Sequence, residues 1–504
     1  MPLGVVATGH RRVTDAASAT LRAGGNAFDA AVAAAFAAAV AEPMFTSLAG
    51  GGFLLARTGA GEERLIDFFV DVPGRGAPRH EPRFTPVTVR FPSSEQVFHV
   101  GLGSVAVPGT LRGLLTVHRR LGRIPLREVI APAISLSRDG LEVTAHQAYV
   151  IDLLAPITTS SATGRELFAP AGRAPRQGER IHNSALADFL ELLPSEGDRD
   201  FYDGSLARTI ASEMSAGGGL LTESDMAAYQ VIERKPLAIA YRGLRLLTNP
   251  PPSFGGSLVA LSLQLLAAAG DEGVSWGSAE HLRKLVAVMI EAERAREEGG
   301  AESAGESLEA RSSRVRRAFR GTTHISVSDA EGAAASMSLS NGEGSGSFVP
   351  GTGIMLNNML GEDDLHPEGF HSSPPGERVA SMMSPSLLSD DAGVRLILGS
   401  GGSKRIRTAL VQVISNVVDH AMNLRDAVEA PRLHWDGECV QLEPGFEPEA
   451  VRALSRSWAI NEWSERNLYF GGVHAVGGEE AAGDPRREGA AGRVLDASSR
   501  EGPC

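Results

Sequence analysis

A threonine that follows glycine, in Gly321-Thr322-Thr323-His324-Ile325-Ser326-Val327, offers a route to a nucleophile without a catalytic histidine. A threonine hydroxyl is a weak nucleophile until a base takes its proton, and a chain cut just before Thr322 exposes an α-amine on the same residue to act as that base. With an amine pKa of about 8, roughly a tenth is neutral at pH 7. Read alone, the string is equally a β-branched start to a strand. Two neighbours bear on the choice. Gly321 tolerates the strained backbone of an N-to-O acyl shift, and the stretch from Ala292 to Arg320, with few large apolar side chains, reads as a solvated arm leading to it. His324 falls on the same side of a strand as residue 322; packing is the commoner outcome for such a histidine and proton shuttling the rarer. A glycine-rich turn, Gly399-Ser400-Gly401-Gly402-Ser403, presents backbone amides that no side chain blocks, as an oxyanion needs. It reads equally as a plain strand-to-helix turn, and it lacks the GxxxxGK[ST] spacing of a phosphate loop.

The elements that must position these residues are legible from period and punctuation. Thr14 to Glu42 reads as two helices, with Gly24-Gly25 as a stop and Asn26 as the cap of the second, alanine-rich one. A glycine turn, Ala49 to Phe53, leads into strand-like Leu54-Leu55 and then Leu65 to Phe69. Helices are expected over Arg127 to Arg138, Leu206 to Ala216, from about Ser278 onward, and over Lys404 to Leu424. Tyr241 to Thr248 reads as a short strand, followed by Pro250-Pro251-Pro252, which cannot be helix or central strand. Thr323 to Val327 and Ala333 to Ser340 read as a hairpin turning at Asp329 to Gly332. Ile354 to Leu356 and Arg395 to Leu398 read as buried strands. The pattern is that of a layered α/β enzyme with paired antiparallel strands.

Bulk properties narrow the class. At 42% hydrophobic and 22% charged residues the 504-residue chain is ordinary globular material. A formal net charge of -13 repels polyanions, so neither nucleic acid nor an anionic membrane is an expected partner. Cys439 and Cys504 give no disulfide framework and no metal-ligand cluster, so no metal and no cofactor are expected. The amino terminus has no signal-peptide pattern, which points to the cytoplasm, or to the periplasm or secretion if the true start lies upstream. The apolar run Ala30 to Val40 is too short for a span of about 20 residues.

Thr322 and its surroundings resemble the processing site of the γ-glutamyltransferases (γ-glutamyltranspeptidases, glutathione hydrolases). Blocks such as GGNAFDAAVAAAFAAAVAEP, LAGGGF, YRGLRLLTNPPPSFGG, PGTGIMLNN, GSGGSKRIRTALVQV and GDPRREGAA are similar to that family in the same order, over nearly the whole chain. The resemblance implies a four-layer αββα sandwich of the N-terminal-nucleophile hydrolases, made as a precursor that cuts itself between Gly321 and Thr322. Residues 1–321, ending in the arm at about 292–321, and residues 322–504 would stay together as a heterodimer and one αββα unit. By the same resemblance Thr322 is the nucleophile with its own amine as base, Gly401 and Gly402 form the oxyanion hole, and Ser340 supports the nucleophile. The hairpin is slightly shorter here than in the family, so Asn341 or Glu343 takes the substrate-contacting place. Glu362 stands where an aspartate is usual, with Met359 at a nearby polar position, and Ser381 matches the first of two serines that bind the glutamyl group, the second being Met382. The reaction implied is transfer of a γ-glutamyl or other acyl group from a small amide to water or an amine.

One departure touches recognition. The family places an arginine after its Asp-Phe or Asp-Tyr pair to clamp the substrate α-carboxylate; here Asp67-Phe68 is followed by Phe69. Loss of a charge-assisted hydrogen bond worth about 1.5 to 3 kcal/mol weakens γ-glutamyl binding unless another cation, with Arg75 the candidate, replaces it. Phe68 and Phe69 either line the pocket and favour an apolar donor or belong to the core; in a pocket, Phe69→Arg would improve γ-glutamyl turnover. Two rivals follow: an acylase of the same fold with a non-glutamyl donor, and an uncut, inactive scaffold or binding protein.

Overall fold

The computed structural model describes residues 2–76, 82–91, 94–270, 274–299, 321–362, 365, 369–370 and 372–496. Two antiparallel sheets stack face to face. The first has seven strands in the order Ala490–Leu495, Pro2–Thr8, Thr323–Asp329, Ala334–Ser340, Gly51–Arg57, Glu63–Phe68 and Ile232–Arg234. The second has six: Glu480–Ala482, Gly472–Gly477, Gly393–Gly401, Ser386–Asp390, Leu244–Thr248 and Leu237–Tyr241.

Side-chain alternation assigns the layers. Val6, Ile325, Val327 and Met337 pack with the helices Arg11–Arg22, Ala27–Ala41, Thr110–Leu121 and Leu126–Asp139. Val5, Ala7, Phe53 and Leu55 belong instead to the core that runs through the second sheet to the helices Phe254–Ala269, Ala279–Gly299 and Arg405–Val418. Helices outside and sheets inside give the αββα order, because each sheet must bury both faces. Helix Ala27–Ala41 is apolar all round and buried along nearly its whole length, as a helix of the interior must be. Its start is fixed by a reciprocal capping box between Asn26 and Asp29.

Three elements differ from the expectations. The helix that starts after Ser278 continues to Gly299, so Ala292–Gly299 is not part of an arm; the remainder of the arm, 300–320, lies outside the described residues. Within this helix Glu293 accepts from Arg296 at 3.0 Å, and it also accepts from Arg407 of the facing helix. The strand expected over Tyr241 to Thr248 begins only at Leu244: Tyr241 ends the preceding strand, and Arg242 and Gly243, both at positive φ, turn the chain between the two. The expected Lys404 to Leu424 helix stops at Val418, and a second helix begins at Leu424 after Ala421 enters the left-handed region. Among the described residues no helix is long and apolar enough to cross a membrane.

Candidate active site

Thr322 precedes the central strand Thr323–Asp329 and is almost wholly buried. Its Oγ1 donates to Ser340 Oγ at 3.4 Å, a long contact, and Ser340 Oγ donates to the Gly321 carbonyl at 2.5 Å. Ser340 Oγ in turn accepts the Gly342 N–H at 3.1 Å. Hydroxyl, hydroxyl and carbonyl thus form a chain across the bond expected to break. The hairpin holds this arrangement, because register pairs Thr323 with Leu339 and Ser340 with Gly51 of the next strand. Gly321 is not in the left-handed region, so strain is not why glycine stands there. Close approach is: a Cβ would lie 2.2 Å from the Gly342 carbonyl oxygen and 2.5 Å from that of Met44.

The glycine turn lies directly against Thr322. A Cβ on Gly401 would sit 2.2 Å from the Thr322 carbonyl oxygen, and Gly402 has φ of +121°, so neither position accepts a side chain without movement. Register along the same strand places Gly399 beside His324, whose ring would overlap any Cβ there. His324 is packed rather than poised as a shuttle. Nδ1 is 2.8 Å from Ser338 Oγ, Nε2 is 3.0 Å from Ser326 Oγ, and burial between the sheets pushes the ring well below its ordinary pKa.

Asn341, Glu343 and Glu362 gather with Asn358 one step beyond Ser340. The Glu343 N–H donates to Asn358 Oδ1 at 2.9 Å, and a Cβ on Gly342 would lie 2.0 Å from that oxygen and 2.5 Å from Glu362 Oε1. Asn341 is fully buried with both side-chain polar atoms unpartnered among the described residues. Ser381 is used elsewhere: its Oγ accepts the Met383 N–H at 3.1 Å and its carbonyl caps the helix Phe254–Ala269, accepting from Phe254 and Gly255. Arg75 is likewise committed, with its N–H on Asp225 at 2.9 Å and Nη2 on the Gly376 carbonyl at 3.3 Å.

Phe69 is core. It is 1% exposed and stacks on Phe53 at 5.4 Å, and its carbonyl accepts from Tyr229 and Arg378. Phe68 is equally buried, against Gly113. Both rings are packed in the hydrophobic cores, which removes the expectation that Phe69→Arg would restore a clamp.

Sequence reasoning missed Arg487 and Glu42. Arg487 Nη1 donates to the Thr322 carbonyl at 3.0 Å, and the Thr323 hydroxyl donates to Glu42 Oε1 at 2.9 Å. Both residues sit in blocks that carry the resemblance, GDPRREGAA and AEP, but nothing local in either block signals contact with Thr322 or Thr323.

The sequence profile described as Gamma-glutamyltranspeptidase matches residues 13–309 and 301–494. The Acylase ACY 1 proenzyme of Pseudomonas sp. (strain SE83) is 31% identical, over 89% of this chain and 85% of that relative. The glutathione hydrolase proenzyme of Escherichia coli (strain K12) is 29% identical, over 90% and 84%. Among solved structures, the cephalosporin acylase from Bacillus halodurans superposes with a TM-score of 0.81 at 26% identity, covering 97% of this chain and 96% of that one. The αββα core, the hydroxyl chain at Thr322 and these matches agree: the chain belongs to the gamma-glutamyltranspeptidase family, a family of hydrolases and acyltransferases with an N-terminal-nucleophile fold.

Proposed function

We propose that the chain cuts itself between Gly321 and Thr322, and that the freed Thr322 then moves a γ-glutamyl-like acyl group from a small amide to water or an amine. The observation that carries this reading is the path from Thr322 Oγ1 to Ser340 Oγ to the Gly321 carbonyl. Ser340 donates to the carbonyl and polarises it, and accepts from the hydroxyl that attacks it. Attack of Oγ1 on the Gly321 carbonyl carbon makes a tetrahedral adduct. Its collapse breaks the C–N bond, the nitrogen takes up the hydroxyl's proton, and an ester joins Gly321 to Thr322. Water then hydrolyses the ester, leaving a carboxylate on Gly321 and a free amine and hydroxyl on Thr322.

In the mature site the amine takes the Oγ1 proton as the oxygen attacks the donor amide, and returns it to the departing amine. In this reading the Gly401 and Gly402 amides serve as the oxyanion donors, a role supported by the close approach of Gly401 to Thr322, and one such donor is worth about 3 kcal/mol. In this reading Asn341, Glu343 and Glu362 meet polar groups of the donor, supported by their gathering beside Ser340 and by the Asn341 side chain, unpartnered among the described residues. A second reading, an acylase with a non-glutamyl donor, is favoured by one observation: the position expected to carry the carboxylate clamp is Phe69, buried against Phe53. Release of anilide from a γ-glutamyl anilide, compared with neutral acyl anilides, separates the two. Faster γ-glutamyl release supports the first reading, and faster neutral-acyl release supports the second. No release from any, with the chain uncut, overturns both.

A further inference from the structure

A small cavity is lined in part by His10, Glu42, Phe45, His146, Arg487 and Glu488, of which Arg487 reaches the Thr322 carbonyl and Glu42 the Thr323 hydroxyl. The atoms that face this space are almost all apolar, and the polar side chains packed around it are only partly paired. Glu42 Oε2, His10 Nε2, His146 Nε2 and Arg487 Nε and Nη2 are buried without hydrogen-bond partners among the described residues. Buried polar groups left open in this way are costly unless they serve something beyond packing. The mechanism above uses none of them.

We propose that Glu42 and Arg487 together set how readily the Thr322 α-amine gives up its proton, Glu42 acting as a positioning residue through Thr323 and Arg487. The inference rests on the proposed function, since the amine exists only after the cut. Arg487 holds the Thr322 carbonyl at 3.0 Å, so a fixed cation stands within one residue of the amine. A nearby like charge disfavours an ammonium and keeps the amine free to accept the hydroxyl proton. Glu42 opposes this. Its Oε1 accepts from Thr323 Oγ1 at 2.9 Å, and its carboxyl and the guanidinium interact electrostatically across the cavity. Ionised Glu42 compensates Arg487 and eases protonation of the amine; neutral Glu42 leaves the cation uncompensated.

The surrounding charges let this pair act near neutral pH. Burial pushes the Glu42 carboxyl up to about 7, against the hydrogen bond from Thr323 and the charge of Arg487. Burial, with Arg405 beside it, brings Arg487 down to about 10, still charged at neutral pH. His10 at the start of Arg11–Arg22 and His146 on Ala145–Leu153 are both pushed below the ordinary histidine value by burial, so they face the pair uncharged. Glu488 accepts from Thr144 Oγ1 at 2.5 Å, and the charges of Asp484 and Arg432 also act on Arg487, in opposite senses. Glu343 and Glu362 approach from beyond Ser340.

The test is the pH profile of kcat/KM for whichever acyl anilide the native enzyme turns over, in Glu42→Gln and Thr323→Val. Activity rises as the amine loses its proton, so removing the Glu42 charge should move the acid limb to lower pH by about half to one unit. Thr323→Val deletes the bond that favours the ionised carboxyl and should move the limb the same way by less. A limb that stays in place, or moves up, in a variant that is cut and folded overturns the inference. So does failure of both variants to be cut, since Glu42 would then serve folding or cutting alone. If the native chain itself gives no fragments and no turnover, the proposed function has failed, not this refinement of it.

Discussion

At the scale of single residues the site is decided by atoms that leave no spare room. Ser340→Ala removes both the donor to the Gly321 carbonyl and the acceptor for Thr322. Loss of one such polarising bond costs on the order of 3 kcal/mol, so cutting should slow by about a hundredfold, measured as the rate at which purified precursor yields two bands on denaturing gels. Normal cutting would remove Ser340 from the chemistry. Phe69→Arg has the opposite sign from the sequence expectation. It buries a cation against Phe53, and an unpaired buried charge costs several kcal/mol, so chemical denaturation should show a loss of at least about 3 kcal/mol with no gain in γ-glutamyl turnover. Thr322 and the glycine turn were readable as candidates from a Gly-Thr junction and a run of glycines, while Ser340 and the choice of Gly401 and Gly402 followed from the family resemblance. Arg487 and Glu42 were not readable, since they reach Thr322 and Thr323 across 165 and 281 residues of sequence.

At the scale of elements the hairpin Thr323–Asp329 and Ala334–Ser340 does the placing, because its register brings Ser340 back to Thr322. The helix Ala27–Ala41 backs that hairpin, and its capping box is its clearest local support. Asn26 also donates to the Leu121 carbonyl at 2.7 Å, so Asn26→Ala should cost about 1 to 2 kcal/mol in denaturant unfolding. No change would mean that tertiary packing alone sets this helix. Period and punctuation predicted the paired helices, the hairpin and the covering helices well. They failed where charge was taken for disorder. Ala292–Gly299 carries acidic and basic residues that a sequence reader assigns to solvent, yet Glu293 is neutralised by Arg407 from a helix more than a hundred positions later. The stop at Val418 was hidden for a related reason: the break is made by left-handed Ala421, and alanine gives no turn signal.

At the scale of the whole molecule, histidines buried in several parts of the fold link stability to pH. Burial holds His10, His281 and His474 down at about 4, and His324 and His434 are also pushed well below the ordinary histidine value. Each contributes stability that is present above about 6.5 and lost as pH falls toward its folded value. Glu42 and Asp71, raised by burial to about 7 and about 6, act in the reverse sense, losing stability as pH rises through those values. The histidines outnumber them, so the melting temperature should fall as pH is lowered from about 6.5 to 4. A flat profile over that range would contradict the buried, neutral state of these histidines. The match of the entire layered unit to the cephalosporin acylase from Bacillus halodurans fits a fold kept whole around one junction. That junction is read most directly by amino-terminal sequencing of the purified protein. Two fragments, one beginning Thr322-Thr323-His324, are the predicted result; a single uncut chain, inactive on every acyl anilide offered, would contradict it.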